Sequence, residues 1–268
     1  MDPISSTQNK RVRHVKALVN RARLRRSERK LILEGDRLIA DALARGGAAE
    51  LALYSPQRAD YGVIAQLQER GCTLLPVTES ILRHVSDTQQ PPGILGVFHI
   101  PKPSISQPCQ RVLILDAISE PGNLGTILRS ASAAGVELAI LAPGCCDVYS
   151  GKTLRAGMGA HFRLPIVEAS WQEIADFCRE LQVFATRAAA DCAYTSVDWT
   201  GDWALILGNE AHGLSQAARK LAACEIAIPM AQSSESLNVA SAAAVILFEA
   251  QRQHLHSDST LAGLSVVD

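Results

Sequence analysis

Six short runs in the second half of the chain are apolar almost without interruption: Val112–Asp116, Leu138–Leu141, Leu164–Val167, Val183–Thr186, Ala204–Leu207 and Glu225–Ile228. Between them lie segments with helical spacing, at roughly 123–134, 151–159, 170–181, 215–222 and 237–253. A strand that is apolar on both sides needs cover on both faces. Strand-helix alternation supplies it, so the pattern predicts an α/β fold with a parallel sheet between two helical layers. In the last segment Leu237, Ala240, Ala244, Leu247 and Phe248 fall on one stripe, which packs that helix on the sheet.

The first hundred residues form a smaller α/β pattern. Residues 10–26 carry Val12, Val15, Leu18 and Val19 at helical spacing within a basic segment. Strands are expected at Lys30–Glu34, Leu51–Tyr54, Leu74–Val77 and Ile94–His99. Helices are expected from Asp36 to Arg45, stopped by Gly46-Gly47, over Tyr61–Arg70, and from Ile81. Pro91, Pro92, Pro101, Pro103 and Pro108 then crowd a stretch without periodicity. Such a stretch reads as a linker and divides the chain into 1–104 and 105–268.

Net charge is −1, which by itself argues against a nucleic-acid partner, but the charge is unevenly distributed. Residues 1–30 hold ten Lys and Arg against Asp2 and Glu28 alone, the asymmetry of a nucleic-acid-binding arm. The seven cysteines form no C-x-x-C pair, so neither a zinc site nor any other metal centre is expected; they suit a reducing, cytoplasmic compartment. The N-terminus is polar and basic, unlike a signal peptide. The longest apolar run, Val239–Phe248, is too short for a membrane span, which needs about 18 residues.

Three polar bends follow the apolar strands, where open α/β sheets hold ligands. In the first, Pro121-Gly122 breaks the chain, Asn123 is placed to cap a helix, and Gly125 and Arg129 share a face beside free amides that suit a phosphate. In the second, Gly208 ends a strand and leaves room for close approach to the backbone, with Glu210 at the mouth of the sheet. In the third, Ile228, Met230 and Leu237 offer apolar walls for a flat ring. There, a residue among Ser234–Ser236 caps the last helix, and Ser236 or Asn238 aims polar atoms inward. Each bend alone is also compatible with an ordinary turn or capped helix. Gly151-Lys152-Thr153 is not the end of a phosphate loop, because the required first glycine falls at Cys146. No G-x-S-x-G elbow is present.

Taken together, Pro121-Gly122-Asn123-Leu124-Gly125 to Arg129, Leu207–Gly213, and Ile228-Pro229-Met230 with Ser236-Leu237-Asn238-Val239 resemble the three motifs of the SpoU branch of the SPOUT superfamily. The likeness covers about residues 110–255. Leu31–Gly35 and Val85–Val97 resemble an L30e-like RNA-binding domain. The resemblance implies an S-adenosyl-L-methionine-dependent RNA ribose 2′-O-methyltransferase, with a deep trefoil knot in its sheet domain and a homodimeric assembly. It implies a reaction-centre set of Asn123, Arg129, Glu210 and Asn238, and a cofactor pocket at Gly208, Ile228, Met230, Ser236 and Leu237. Where the family commonly has a serine, this chain has Gly157 and lacks that hydroxyl. RNA contacts are expected from Arg11, Lys16, Arg23, Arg25, Arg26 and Arg129. Ribosomal RNA is favoured over transfer RNA because the leading domain resembles a ribosomal-protein fold; a non-catalytic RNA-binding or assembly protein is the alternative class. A guanidinium holds its proton throughout the physiological range and is a reluctant base. Arg129 is therefore expected to hold a phosphate and steer the hydroxyl, while a substrate phosphate or a water takes the proton.

Overall fold

The computed structural model describes residues 2–57, 60–105, 108–231 and 236–264. The elements begin with α1 (Lys10–Asn20), α2 (Ala22–Glu28), β1 (Lys30–Glu34), α3 (Asp36–Ala44), β2 (Ala49–Tyr54), α4 (Tyr61–Glu69), β3 (Thr73–Pro76), α5 (Glu79–Val85) and β4 (Ile94–His99). They continue with β5 (Arg111–Leu115), α6 (Pro121–Ala133), β6 (Leu138–Leu141), α7 (Gly151–Gly157), β7 (Ile166–Glu168), α8 (Trp171–Phe177), β8 (Gln182–Thr186), β9 (Cys192–Ala193), β10 (Trp203–Leu207), α9 (Gln216–Leu221), β11 (Cys224–Ala227) and α10 (Val239–Leu264). Contacts divide the chain into two compact units. One holds Met1–Lys102 with Asp147–Arg163, and the other holds Pro103–Cys146 with Leu164–Asp268.

The first unit has a four-stranded sheet in the order β1-β4-β2-β3. Central β4 runs antiparallel to both neighbours, and β2 and β3 pair in parallel. Strand alternation sends Leu31 and Leu33 to one core and Ile32 to the other. The second of these cores also takes Val12, Val15 and Leu18, the buried stripe of α1. The basic segment is two helices rather than one. Asn9 caps α1 by accepting hydrogen bonds from the amides of Arg11 and Val12, and Arg21 leaves helical geometry at φ −121° and ψ 101°.

That break turns Arg25 inward, to 5% exposure. Its guanidinium donates to the carbonyls of Leu18 and Val19, the latter at 2.7 Å, and to the carboxylate of Asp147. Arg25 thus closes the C-terminal end of α1 and is not available to RNA, which corrects the expectation placed on it. Its partner belongs to the segment Asp147–Arg163, which lies in this unit. Leu154 joins the first core, Arg155 pairs with Asp87 at 2.7 Å, and Arg163 pairs with Asp41 at 3.2 Å. Ser150 caps α7, and the Thr153 hydroxyl donates to the Asp147 carbonyl, so Gly151-Lys152-Thr153 serves a helix start.

The second unit has a seven-stranded sheet in the order β7-β6-β5-β10-β8-β11-β9. All its ladders are parallel. From β5 the chain builds outward through β6 and β7, then crosses back so that β10 pairs with the other edge of β5. Neighbouring loops therefore diverge after β5 and β10, the switch point at which parallel sheets form a crevice. The two-residue strand β9 is too short to leave a periodic signal in the sequence.

Candidate active site

Four loops meet at the carboxyl ends of β5, β10, β8 and β11. Asn123, Gly208, Glu210, Ile228, Met230, Ser236, Leu237 and Asn238 line one cavity of about 460 Å³ there. The fold thus brings together eight of the nine residues expected at the reaction centre and cofactor pocket. Arg129 is the exception. It is exposed on α6, two turns beyond Asn123, and does not line the cavity of its own chain.

The loop after β5 does not start its helix at Asn123. Pro121 takes the first helical position, where its missing N–H costs nothing, and Glu120 caps α6 by accepting from the Gly122 amide. Asn123 is thereby freed to face the cavity. Gly125 is buried in the helix packing rather than lying open beside Arg129.

After β10 the chain folds back at once. Asn209 and Gly213 exchange backbone hydrogen bonds of 2.9 Å in both directions. A Cβ on Gly208 would lie 2.7 Å from the Gly213 carbonyl carbon and 2.8 Å from the Leu214 nitrogen. The space that Gly208 leaves is used by the returning loop. The Asn209 side chain fixes that loop: its Oδ1 accepts from the amides of Ala211 and His212, and its Nδ2 donates to the Ala117 carbonyl at 2.7 Å. Sequence reasoning passed over Asn209, although an Asn two residues before an Ala-His bend is the signature of an Asx turn.

The loop presents Glu210 to the first bend. One carboxylate oxygen accepts from the Ser119 amide and hydroxyl, at 3.3 and 3.1 Å; the other accepts from Asn123 Nδ2 at 3.0 Å. Burial alone would raise the Glu210 pKa. The hydrogen bonds from Asn123 and Ser119 together outweigh it and hold the carboxyl below its ordinary range. Ser119 is a second residue that sequence reasoning missed, and nothing in its local pattern marks it.

An ionised carboxylate only accepts hydrogen bonds, so Asn123 must turn its NH₂ toward Glu210. Its Oδ1 is then left to accept from Asn238 Nδ2 at 3.1 Å. Asn238 in turn has its Oδ1 free to take the amides of Ala240 and Ser241, which caps α10. One negative charge therefore sets the orientation of two side-chain amides. The expected cap at Ser234 lies outside the described residues; Ser236 lines the cavity, and the capping hydrogen bonds go to Asn238.

At the β8 side two guanidiniums reach the cavity. Arg187 pairs with Glu225, whereas Arg219 on α9 is exposed and has no ion pair among the described residues. Ile226, Ile228, Met230, Leu237 and Ile246 give the apolar wall. The cavity thus combines an apolar wall, a fixed carboxylate–amide chain and, among the described residues, one cation without an ion pair. Its volume lies in the range of about 300–1,000 Å³ usual for small-molecule sites.

Among the described residues no group of three or more His, Cys, Asp or Glu side chains could hold a metal ion, and no helix is long and apolar enough to cross a membrane.

Residues 110–248 match the SpoU rRNA Methylase family, and residues 9–96 match the MRM3-like substrate binding domain. A relative in Bacillus subtilis, the 23S rRNA (guanosine(2553)-2′-O)-methyltransferase RlmP, is 31% identical over 92% of this chain and 98% of its own. Two solved structures align over nearly the whole length. The AdoMet-bound rRNA methyltransferase from Sinorhizobium meliloti has a TM-score of 0.83 at 32% identity, covering 94% of this chain and 97% of that one. The SpoU methyltransferase AviRb from Streptomyces viridochromogenes, in complex with AdoMet, has a TM-score of 0.84 at 29% identity, covering 92% and 99%.

Proposed function

The chain belongs to the SpoU rRNA methylase family, and from that premise we propose that it transfers a methyl group from S-adenosyl-L-methionine to a ribose 2′-hydroxyl of ribosomal RNA. The observation that carries this reading is the unbroken hydrogen-bond chain Ser119–Glu210–Asn123–Asn238 on the wall of an apolar-lined cavity.

The residues present fit the methyl donor. Ile228, Met230 and Leu237 suit an adenine ring, and Gly208 and Ser236 offer polar groups beside it. The α-carboxylate is the donor's anionic group, and Arg219 is the cation left unpaired among the described residues that line the cavity. Bound S-adenosyl-L-methionine supplies a methyl already activated on a sulfonium. The protein's task is to hold the ribose oxygen in line and to let its proton depart. Three hydrogen bonds hold the Glu210 carboxylate in place, so it acts by orientation: it locks Asn123, and through it Asn238, in the geometry that meets the substrate.

Arg129 lies outside its own cavity, and we place its action in a homodimer. α6 packs on α10, and α10 exposes Val245, Phe248 and Leu255 on one stripe. Pairing two copies through this face covers the stripe and carries Arg129 toward the partner's cavity. There it holds a substrate phosphate by bidentate hydrogen bonds and steers the hydroxyl, and a substrate phosphate or a water accepts the proton. The family's trefoil knot and a cytoplasmic location belong to the same reading.

Mapping ribose methylation in RNA from cells with and without the gene tests the reaction; no site that disappears from ribosomal RNA refutes it. Mixing the inactive variants Arg129→Ala and Asn238→Ala tests the dimer. Activity returns only if Arg129 works across the interface, because a mixed dimer then keeps one complete site.

A further inference from the structure

The basic N-terminal arm folds into something more specific than a charged tail. Helix α1 buries Val12, Val15 and Leu18. At 100° per residue, Lys10, Arg13 and Ala17 fall on the opposite face, and Arg21 follows at the C-cap. With Lys16 and with His84 of α5, they line a concavity of about 530 Å³. No carboxylate among the described residues lines it. His14, which also lines it, is engaged with Glu28 at 3.1 Å, but Lys10, Arg13, Lys16 and Arg21 have no ion pair among the described residues. These four stand apart from Arg25, Arg155 and Arg163 of the same unit, each of which is held by an aspartate.

Four uncompensated cations on one helix and its C-cap repel each other, a cost that a merely solvated face avoids by interspersing acids. Two details make the face a groove. The chain leaves helical geometry at Arg21, so that side chain departs from the line that a continuing helix would give it. Ala17 puts a short side chain into the lining among the four cations.

We propose that this groove seats the phosphodiester backbone of the RNA substrate, with Lys10, Arg13, Lys16 and Arg21 on successive phosphates over Ala17. The inference rests on RNA being the substrate. It moves the contact away from Arg11, Arg23 and Arg26, which are exposed but lie outside the groove.

The test uses the full chain and a fluorescein-labelled 20-nucleotide single-stranded oligoribonucleotide, with binding followed by anisotropy from 50 to 300 mM salt. Each lost phosphate contact lowers the slope of log affinity against log salt by about 0.7. Arg13→Ala with Arg21→Ala should therefore reduce the slope by about 1.4. Arg11→Ala with Arg23→Ala should leave it unchanged. Ala17→Leu keeps every charge and a good helix former but adds bulk to the lining, and should weaken binding about tenfold while S-adenosyl-L-methionine affinity by calorimetry stays unchanged. A groove pair that leaves the slope intact overturns the proposal, as does a control pair that lowers it equally or an Ala17→Leu variant that binds like the wild type. A wild-type protein that does not bind the oligoribonucleotide at all overturns the RNA reading itself, a different failure from loss of the groove alone.

Discussion

Replacing Arg25 by alanine removes a guanidinium that is 6% exposed and strands a carboxylate, Asp147, that is 15% exposed. Taking one partner from a buried ion pair costs about 3–5 kcal/mol, because the remaining charge keeps its desolvation penalty without its attraction. The carbonyls of Leu18 and Val19 lose their donors as well, but they end a helix where water can replace part of the loss. The partial exposure of Asp147 favours the lower figure, so the expected loss is about 3 kcal/mol, a large share of the roughly 5–15 kcal/mol that holds a domain together. Arg25→Lys keeps the charge but cannot fork to two carbonyls and a carboxylate, and should fall between. Asp147→Ala together with Arg25→Ala should cost less than the two single losses added, with a coupling of about 1–3 kcal/mol. The assay is urea unfolding of the full chain with two probes. Trp171, Trp199 and Trp203 all lie in the second unit, so their fluorescence follows that unit, whereas far-ultraviolet circular dichroism follows both. Arg25→Ala should move the dichroism transition and leave the tryptophan transition in place. A loss below about 1 kcal/mol would show that the buried pair is not a keystone of the arm. A drop in RNA salt slope with unchanged stability would return Arg25 to the RNA-binding set.

Three further outcomes are expected. His161 is buried, donates to the Val148 carbonyl through Nε2 and has no hydrogen-bond partner at Nδ1 among the described residues; burial depresses its pKa to about 4. Above the unfolded value near 6.5 it is neutral in both states, so its contribution is complete there. As pH falls from 6.5 toward 4 the unfolded chain gains a proton that the folded one refuses, and this group should lower stability by up to about 1.4 kcal/mol per pH unit, a share of the slope that His161→Gln should remove in dichroism-monitored unfolding. Gly208→Ala places its Cβ against backbone that cannot yield, which should displace the 209–213 loop, cost about 1–3 kcal/mol and abolish S-adenosyl-L-methionine binding by calorimetry. Arg219→Ala should weaken binding of S-adenosylhomocysteine about tenfold and leave 5′-methylthioadenosine, which has no carboxylate, unaffected; equal losses for both would remove Arg219 from carboxylate recognition.

The strands of the second sheet were legible because burial on both faces writes itself as uninterrupted apolar residues. The cavity was legible because the three bends fall at the ends of those strands. Other features follow from interactions that no local pattern records. A glutamate caps α6 where Asn123 was expected, since proline claims the first helical position and the asparagine has a carboxylate to answer. Arg25 reads like its basic neighbours until a break at Arg21 turns it under the helix. The period of α7 gives its buried face but not the sheet it will cover, so its membership of the first unit emerges only from contacts such as Arg155 with Asp87. Ser119 and Asn209 matter through partners about ninety residues away along the chain.

The placement of Asp147–Arg163 also governs how this protein can be dissected. A protease that nicks the proline-rich connection should leave two fragments that copurify, because the larger one still has its own helix lodged among the residues of the smaller. A recombinant N-terminal fragment ending near residue 104 would lack that plug, leaving Asp87 and Arg25 without their counterions and Asp41 with Arg45 alone. Supplying 147–163 as a peptide in trans should rescue its solubility.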